Sequence, residues 1–490
     1  HDVGQGVVLQ DGRVIAIEGA EGTDEMLRRI AALIDPAAPP AIFVKRRKSG
    51  QDTRLDIPVV GEETLRLAAA SGVRVLALEA GGVMLASAPE TLWELASEPD
   101  GGWRLSAPIF ILAGEPSGDR LAASLMRAVN GGWGAQEWIG VGGPAMRDEG
   151  LVSATNMEDL TVFGFGAALA AYPRLSRLAD KLVEDVMSAR PKAVITVDVK
   201  GFSLRFAARL KRRMASAGWH APIIHCVAPT VWAWGAWRRH RVARSVDGLL
   251  CLFPFEPEWF EPLGIKTAFI GHPEAFNPAY DAPRRPDPAS APHIVILPGS
   301  RRSEIQHILP PMLAAFEQLR DTHPELTATI PTLPRIAGSI ETACKATPSA
   351  EAISVEQGEG ALFRALGKGH AVLAASGTVT LQTALYGTPG VACYIASGLS
   401  AAVGRRLVKM DRVVLPNALL DREVYPFLFQ ERASASSMAD AIRKVLSDGK
   451  ADQRAASDAR TLRQLLRGGA DSFEAGVVAA MTEWLDPPSR

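Results

Sequence analysis

The sequence predicts an α/β protein in which two nucleotide-fold lobes follow a small α/β domain. Three observations predict it. Two glycine-rich strand-to-helix turns, Ala113-Gly114-Glu115-Pro116-Ser117-Gly118-Asp119 and Leu297-Pro298-Gly299-Ser300-Arg301, stand one in each half of the chain. From Ala107 onward short apolar strands alternate with helical patterns, the rhythm of a parallel sheet with right-handed crossovers. A stretch rich in Pro, Ala and Asp between Pro273 and Pro292 interrupts the alternation, which restarts at His293. In each turn an apolar strand, Pro108 to Leu112 or Ile294 to Leu297, ends at glycines that let backbone approach a ligand. The helix that follows presents free N–H groups to an anion.

Taken in order, His1 to about Arg104 forms the small domain. Gly6 to Leu9 and Arg13 to Glu18 read as strands around Asp11-Gly12, a helix follows near Thr23, and Ala41 to Lys45 and Gly72 to Glu79 complete the strands. Ser97 to Trp103, with Pro99-Asp100-Gly101-Gly102, reads as a linker. The first lobe then carries strands at Ala193 to Val197, Ile223 to Val227, Gly248 to Phe253 and Thr267 to Ile270, and the second at Ala371 to Ala375 and Val391 to Ile395. The divisions expected are 1–104, 105–280, 281–468 and a last helical segment, 469–490. Length agrees: 490 residues exceed one core, and about 150 residues per domain gives three.

Composition removes several classes of function. A hydrophobic content of 47 % with 22 % charged residues fits a globular protein, and a net charge of -1 gives no global attraction to nucleic acid or anionic lipid. Membrane affinity must therefore be local. No apolar run approaches the roughly 18 residues that span a bilayer, and the first residues carry no signal-peptide pattern, so the cytoplasm is the expected compartment. Cys226, Cys251, Cys344 and Cys393 are scattered without metal-ligand spacing and read as core thiols. A start at His1-Asp2-Val3, without Met, reads as a fragment.

The residues that could carry chemistry cluster at strand ends. Asp198 follows the apolar strand Ile195-Thr196-Val197, where open α/β sheets place reactive groups. A carboxylate there can act as general base on a sugar hydroxyl or cap the next helix. Arg301 follows Gly299 and Ser300 and is expected to bind a diphosphate rather than merely pair with Glu304. Ser376-Gly377-Thr378 forms a third anion-type turn or an ordinary helix start, and Gln382 on the next helix could reach a ribose hydroxyl. No Asp-x-Asp triplet occurs, so diphosphate charge would be met by Arg and backbone. The tract from Val227 to Trp234, followed by Trp237, Arg238, Arg239, His240, Arg241 and Arg244, sets three tryptophans, Trp232, Trp234 and Trp237, beside a basic cluster. Indole beside guanidinium suits a lipid headgroup boundary or a phosphorylated, acylated sugar; a core Trp pair with a solvated basic helix fits the same residues. Arg205, Arg209, Lys211, Arg212 and Arg213 have helical spacing and read as a solvated face. In the small domain, Asp52 and Asp56, near Lys45 and Arg54, could hold a divalent metal against a pyrophosphate or cap turns.

From about Ala107 to the C-terminus the sequence resembles the lipid A disaccharide synthases, which join UDP-2,3-diacylglucosamine to 2,3-diacylglucosamine 1-phosphate. The resemblance rests on Ala113 to Asp119, Gly142-Gly143-Pro144-Ala145-Met146, Pro229-Thr230-Val231-Trp232-Ala233-Trp234, Phe253-Pro254-Phe255-Glu256, Gly271-His272-Pro273, Leu297 to Arg301, Ser376-Gly377-Thr378 and Leu415-Pro416-Asn417. It implies two Rossmann-like lobes of the GT-B type, with the last helix returning to the first lobe. It implies an inverting, metal-independent transferase, peripheral on the inner membrane. Asp198 is then the candidate base. Gly299, Ser300, Arg301, Ser376, Gly377, Thr378, Gln382 and Asn417 lie on the donor side, and Gly114, Ser117, Trp232, Trp234, Arg238 and Arg239 on the acceptor and lipid side.

Three positions depart from the family pattern: Gly201 where the family has a second Asp, Gln382 for its usual Glu, and Ala167 for a Glu after Gly164. They motivate the alternative of a degenerate scaffold that binds lipid and nucleotide sugar without chemistry; an unrelated GT-B enzyme such as a UDP-GlcNAc epimerase ranks last. Residues 1 to about 104 resemble the C-terminal domain of the UDP-2,3-diacylglucosamine pyrophosphatases, through Asp2-Val3-Gly4-Gln5, Glu21-Gly22-Thr23-Asp24, Val44-Lys45, Gly50 to Pro58 and Glu79-Ala80-Gly81. That resemblance implies Mg or Mn at Asp52 and Asp56, and leaves hydrolysis by this domain open. Nucleic acid is not an expected partner, and a homodimer is left open.

Overall fold

The computed structural model describes residues 5–35, 38–46, 58–78, 83–86, 107–153, 155–160, 165–197, 201–232, 235–281, 283, 286–287, 290–395 and 413–485. The chain divides into two compact units, His1–Ala107 and Pro108–Arg490. In the first, β1 (Gly6–Gln10) and β2 (Arg13–Ile17) pair antiparallel across Asp11-Gly12, both at positive φ, as a two-residue hairpin turn requires. β3 (Ala41–Lys45) joins β1 on its other side. After β4 (Val59–Val60), β5 (Val73–Leu78) adds parallel to β3, and β6 (Met84–Leu85) pairs with β4. The helix Thr23–Ile30 buries Met26, Leu27 and Ile30, which share one face at helical spacing, against Val8, Phe43 and Ala68. At the end of β3 the Lys45 side chain is buried, with its ammonium on the Thr23 hydroxyl and 3.7 Å from the Glu18 carboxylate.

The second unit holds two parallel sheets. The first contains β7 (Ile109–Leu112), β8 (Trp138–Val141), β9 (Leu151–Ser153), β10 (Ala193–Val197), β11 (Ile223–Cys226), β12 (Gly248–Cys251) and β13 (Lys266–Phe269), in the order β13-β12-β11-β10-β7-β8-β9. The second contains β14 (His293–Leu297), β15 (Thr327–Thr332), β16 (Ile353–Gln357), β17 (Ala371–Ala375), β18 (Gly390–Tyr394) and β19 (Phe427–Phe429), in the order β16-β15-β14-β17-β18-β19. In each sheet the first strand lies inside, and the chain winds outward to one side and then to the other. The order therefore reverses between β7 and β10 in the first sheet and between β14 and β17 in the second, and such crevices at the carboxyl ends of strands are where open α/β sheets bind ligands. The central strands are buried on both faces, which explains their near-continuous apolar sequence.

After the second sheet the helix Ala451–Arg467 packs on the helix Thr378–Tyr386. The last helix, Phe473–Leu485, then crosses to the first lobe, where Phe473, Val477, Ala480 and Met481 share a core with Ile109, Ala122 and Met126 of β7 and the helix Pro116–Trp133. The Trp133 indole N–H donates to Thr482 Oγ1 at 3.0 Å. All four cysteines are buried, and none forms a disulfide.

Candidate active site

At the second-lobe switch point, the loop after β14 and the loop after β17 leave adjacent strand ends. Gly299 sits at φ 105, and a Cβ there would lie 2.4 Å from Glu304 Oε2, so this turn admits only glycine. Glu304, on the first turn of the helix Arg302–Arg320, folds back on the loop: its Oε2 accepts from the N–H of Ser300 (3.0 Å) and Arg301 (3.2 Å). Its Oε1 pairs with the exposed Arg301 guanidinium at 2.8 Å. The Arg301–Glu304 pair, the alternative to diphosphate binding, is thus formed in this structure. The pairing follows from the i, i+3 spacing and from the free N–H groups of the turn, which attract whatever anion is nearest. The Tyr394 phenol at the end of β18 feels both charges: burial and then Glu304 raise its pKa, while Arg301 opposes them.

The β17 loop is open. Gly377 and Thr378 are exposed, a Cβ added at Gly377 meets nothing within 4 Å, and Thr378 begins the helix that carries Gln382. Ser376 is held by its hydroxyl on the Val413 carbonyl, 3.3 Å. Gln382 donates through Nε2 to Glu274 Oε1 at 3.0 Å, and Glu274 Oε2 also accepts from the Tyr280 hydroxyl at 2.6 Å. Asn417 is engaged within the protein: its Oδ1 accepts from Val424 and Tyr425 N–H, 2.9 Å each, and its Nδ2 donates to the Tyr425 carbonyl. It clamps the turn after the helix Leu415–Leu420, leaving one amide hydrogen for any other partner.

At the first-lobe switch point, β7 leads into Gly114 and the exposed Ser117, and the adjacent β10 ends at Val197. Asp198 is the next residue and lies outside the described residues. The following helix, Phe202–Ser216, takes Gly201 as its N-cap, at φ 73. An Asp at 201 would have to adopt the same left-handed backbone, with its Cβ 3.3 Å from Arg205 Nη2. Asp119, which sequence reasoning left unassigned, is buried, and its carboxylate accepts from the N–H of Gly143 (2.8 Å), Ala145 (3.0 Å) and Met146 (3.2 Å). Two of the sequence motifs, Ala113–Asp119 and Gly142–Met146, are thus one piece of structure.

Near the ends of β10 and β11, Thr196 Oγ1 and His225 Nδ1 lie 2.7 Å apart and buried, and desolvation lowers the His225 pKa to about 4, keeping it neutral. Two residues on, Val227 sits at φ 76, a strained conformation for a β-branched side chain, and begins the Trp-basic tract. Trp232 is a core residue, 3 % exposed, in edge contact with Phe253 and Phe255, so its ring is packed inside rather than presented at the surface. Trp234 lies outside the described residues. Trp237, by contrast, is 72 % exposed, next to Arg239, Arg241 and Arg244, for which no carboxylate partner occurs among the described residues. Arg238 is half-buried, donates to the Thr230 carbonyl, and its pKa is lowered by desolvation. The other basic run behaves as a solvated face, with Arg209, Lys211 and Arg213 paired to Asp180, Asp247 and Glu184.

The two lobes meet along their carboxyl edges. Phe253, after β12, joins the second-lobe core with Leu297, Leu381 and Leu385 and stacks on His272 at 5.4 Å. His272 has an exposed edge yet is surrounded densely enough that desolvation lowers its pKa to about 4. Beneath Phe253, Glu256 accepts from the N–H of Leu252 and Phe253, 3.0 Å each, and desolvation raises its pKa to about 8 against the effect of those donors. The Trp232 indole N–H favours the same carboxylate's charge but closes no hydrogen bond of proper geometry. In the first unit, Asp52, Arg54 and Asp56 lie outside the described residues, and among the described residues no group of three or more His, Cys, Asp or Glu could hold a metal.

Two parallel sheets with switch points at facing carboxyl edges define a GT-B glycosyltransferase fold. Solved structures of that shape include S. aureus MnaA with UDP, TM-score 0.52 at 12 % identity over 78 % of this chain and 98 % of that one, and the glycotransferase of kitacinnamycin, TM-score 0.51 at 13 % identity over 79 % and 100 %. At such identity they show the fold alone. Sequence relatives go further. The lipid-A-disaccharide synthetase family profile matches residues 109–480, and the LpxI C-terminal domain profile matches residues 1–99. The lipid-A-disaccharide synthase of Rhodospirillum centenum is 40 % identical over 352 residues, 70 % of this chain and 86 % of the relative. That of Anaeromyxobacter dehalogenans is 36 % identical over 369 residues, 74 % and 94 %. The chain belongs to the lipid-A-disaccharide synthase family and is a glycosyltransferase of lipid A biosynthesis.

Proposed function

We propose that this chain transfers the sugar of UDP-2,3-diacylglucosamine to the 6-hydroxyl of 2,3-diacylglucosamine 1-phosphate, giving lipid A disaccharide 1-phosphate and UDP. The observation that carries the reading is the second-lobe switch point, where the Gly299 and Gly377 turns and the exposed Arg301 guanidinium, paired with Glu304, stand at adjacent strand ends. Asp198, at the end of β10, takes the proton of the acceptor hydroxyl. The acceptor oxygen bonds the anomeric carbon from the face opposite the diphosphate, the bond from that carbon to the diphosphate breaks, and UDP leaves with the electron pair, so configuration inverts. Arg301, Ser300 and the N–H groups after Gly377 meet the charge that develops on UDP, and the transferase needs no cofactor for this step.

Both substrates carry acyl chains, and the exposed Trp237 with Arg239, Arg241 and Arg244 is the segment we assign to the inner-membrane surface. No helix among the described residues is long and apolar enough to cross a membrane. For the first unit, a pyrophosphatase role rests on Asp52 and Asp56 as ligands for Mg or Mn. Mass spectrometry of products after incubation with UDP-2,3-diacylglucosamine, with and without the acceptor and magnesium, tests all of this. Disaccharide is expected when acceptor is supplied, and no disaccharide under any condition would overturn the transferase. Magnesium-dependent disaccharide from donor alone would show the first unit supplying acceptor.

A further inference from the structure

Position 382 breaks the family pattern, and the structure shows what stands beside it. The Gln382 side chain crosses between the lobes to Glu274, on the turn Pro273–Phe276 that follows the first sheet. A carboxylate has no donor to offer, so the amide must present its nitrogen to Glu274 and turn Oε1 the other way. Among the described residues nothing donates to that oxygen. Gln382 lies four residues after Thr378, on the same helix face as the open Gly377 turn, one helical turn farther from the strand end. Glu274 is itself held in place: Tyr280, fully buried, donates to its other oxygen, and its own N–H donates to His272 Nδ1 at 3.2 Å.

This arrangement accounts for the Gln. A Glu at 382 would set two carboxylates about 3 Å apart, and such a pair cannot both stay ionised. With Glu274 present, an amide at 382 removes the repulsion, and its N–H, drawn by the carboxylate, strengthens Oε1 as an acceptor.

We propose that Glu274 and Gln382 act as one unit in selecting the donor's ribose: Gln382 Oε1 accepts a ribose hydroxyl, and Glu274 is the positioning residue that orients and polarises the amide. The inference rests on the reading of the second lobe as the nucleotide side. It also explains why Gln382 need not mark a degenerate enzyme.

Calorimetric titration of the full chain with UDP, 2′-deoxy-UDP and 3′-deoxy-UDP tests it. The wild type should prefer UDP to one deoxy analogue by about 10-fold, the scale of a lost hydrogen bond to a polarised acceptor. Glu274→Gln should cut that preference below about 3-fold while affinity for the same deoxy analogue barely moves. The exchanged pair Glu274→Gln with Gln382→Glu should restore it. Tyr280→Phe separates support from recognition: it removes a hydrogen bond to Glu274 but leaves the Gln382 contact, so the preference should survive. UDP bound without preference over either analogue, or full preference kept in Glu274→Gln, overturns the proposal alone. No binding of UDP overturns the nucleotide reading, and this inference with it.

Discussion

The two switch points use the same device to different ends. In the first lobe, Asp119 reaches from one helix to the N-terminus of another and takes three N–H donors inside the core. In the second, Glu304 reaches back to its own turn, takes two N–H donors, and shares the site with an arginine that is more than half exposed. Both carboxylates satisfy helix N-termini that would otherwise be orphaned. They differ in access. Asp119 is sealed in the core, whereas Glu304, although its side chain is only 12 % exposed, lies beside an arginine that is 55 % exposed. The glycine turn is common to both lobes; the exposed cation beside the carboxylate is what separates them.

Breaking the accessible site should have the largest effect on function. Arg301→Ala is expected to lower kcat/KM by about 100- to 1000-fold, the scale for removing a charged stabiliser of developing negative charge. Because an exposed i, i+3 ion pair contributes only about 0.5 kcal/mol, the urea midpoint should stay put. A normal kcat/KM would remove Arg301 from the diphosphate site. The buried site should respond the other way round. Asp119→Ala leaves three N–H groups without an acceptor and is expected to cost about 3 kcal/mol of stability, read from chemical denaturation, while UDP affinity of the folded fraction is unchanged. If stability held and UDP affinity collapsed, the contrast between the two carboxylates would be false.

Much of this was legible in the sequence. The glycine turns, the rhythm of apolar strands and the Pro-rich break located the inner strands of both sheets, since strands buried on two faces are written as short apolar runs. The strands it did not foresee fall into two kinds: β9, β15 and β16 carry polar or exposed residues, with Val152 exposed in β9 and Ile-Ser-Val-Glu-Gln in β16, whereas β8 (Trp-Ile-Gly-Val) and β19 (Phe-Leu-Phe) are apolar but only four and three residues long. The Arg301-x-x-Glu304 spacing is also a capping-box signal, which the reading of Arg301 as a diphosphate ligand passed over. Glu274 could not have been found. Nothing local ties it to a residue 108 positions away, and only the packing of one lobe on the other brings the two together.

Glu256 falls between Asp119 and Glu304, and its titration gives the smallest and most specific prediction. Like Asp119 it is buried and accepts backbone N–H groups, but it has two donors and an aromatic surround of Trp232, Phe253 and Phe255, and desolvation raises its pKa to about 8 from the ordinary 4.5. The folded chain thus holds this proton more tightly than the unfolded chain. Its contribution to stability is full below about pH 4.5 and is lost as pH rises toward 8. His225 and His272 act oppositely: each is lowered to about 4 from 6.5, so their contribution is lost as pH falls through that range. The net curve of the wild type mixes both slopes. Glu256→Gln keeps an acceptor for the two N–H groups and removes only the titration, so the difference in unfolding midpoint between wild type and variant isolates it. That difference should move in favour of the variant from pH 5 to pH 8. A difference independent of pH would mean that the two donors hold Glu256 ionised throughout, which would place it with Asp119 as a fixed structural anion.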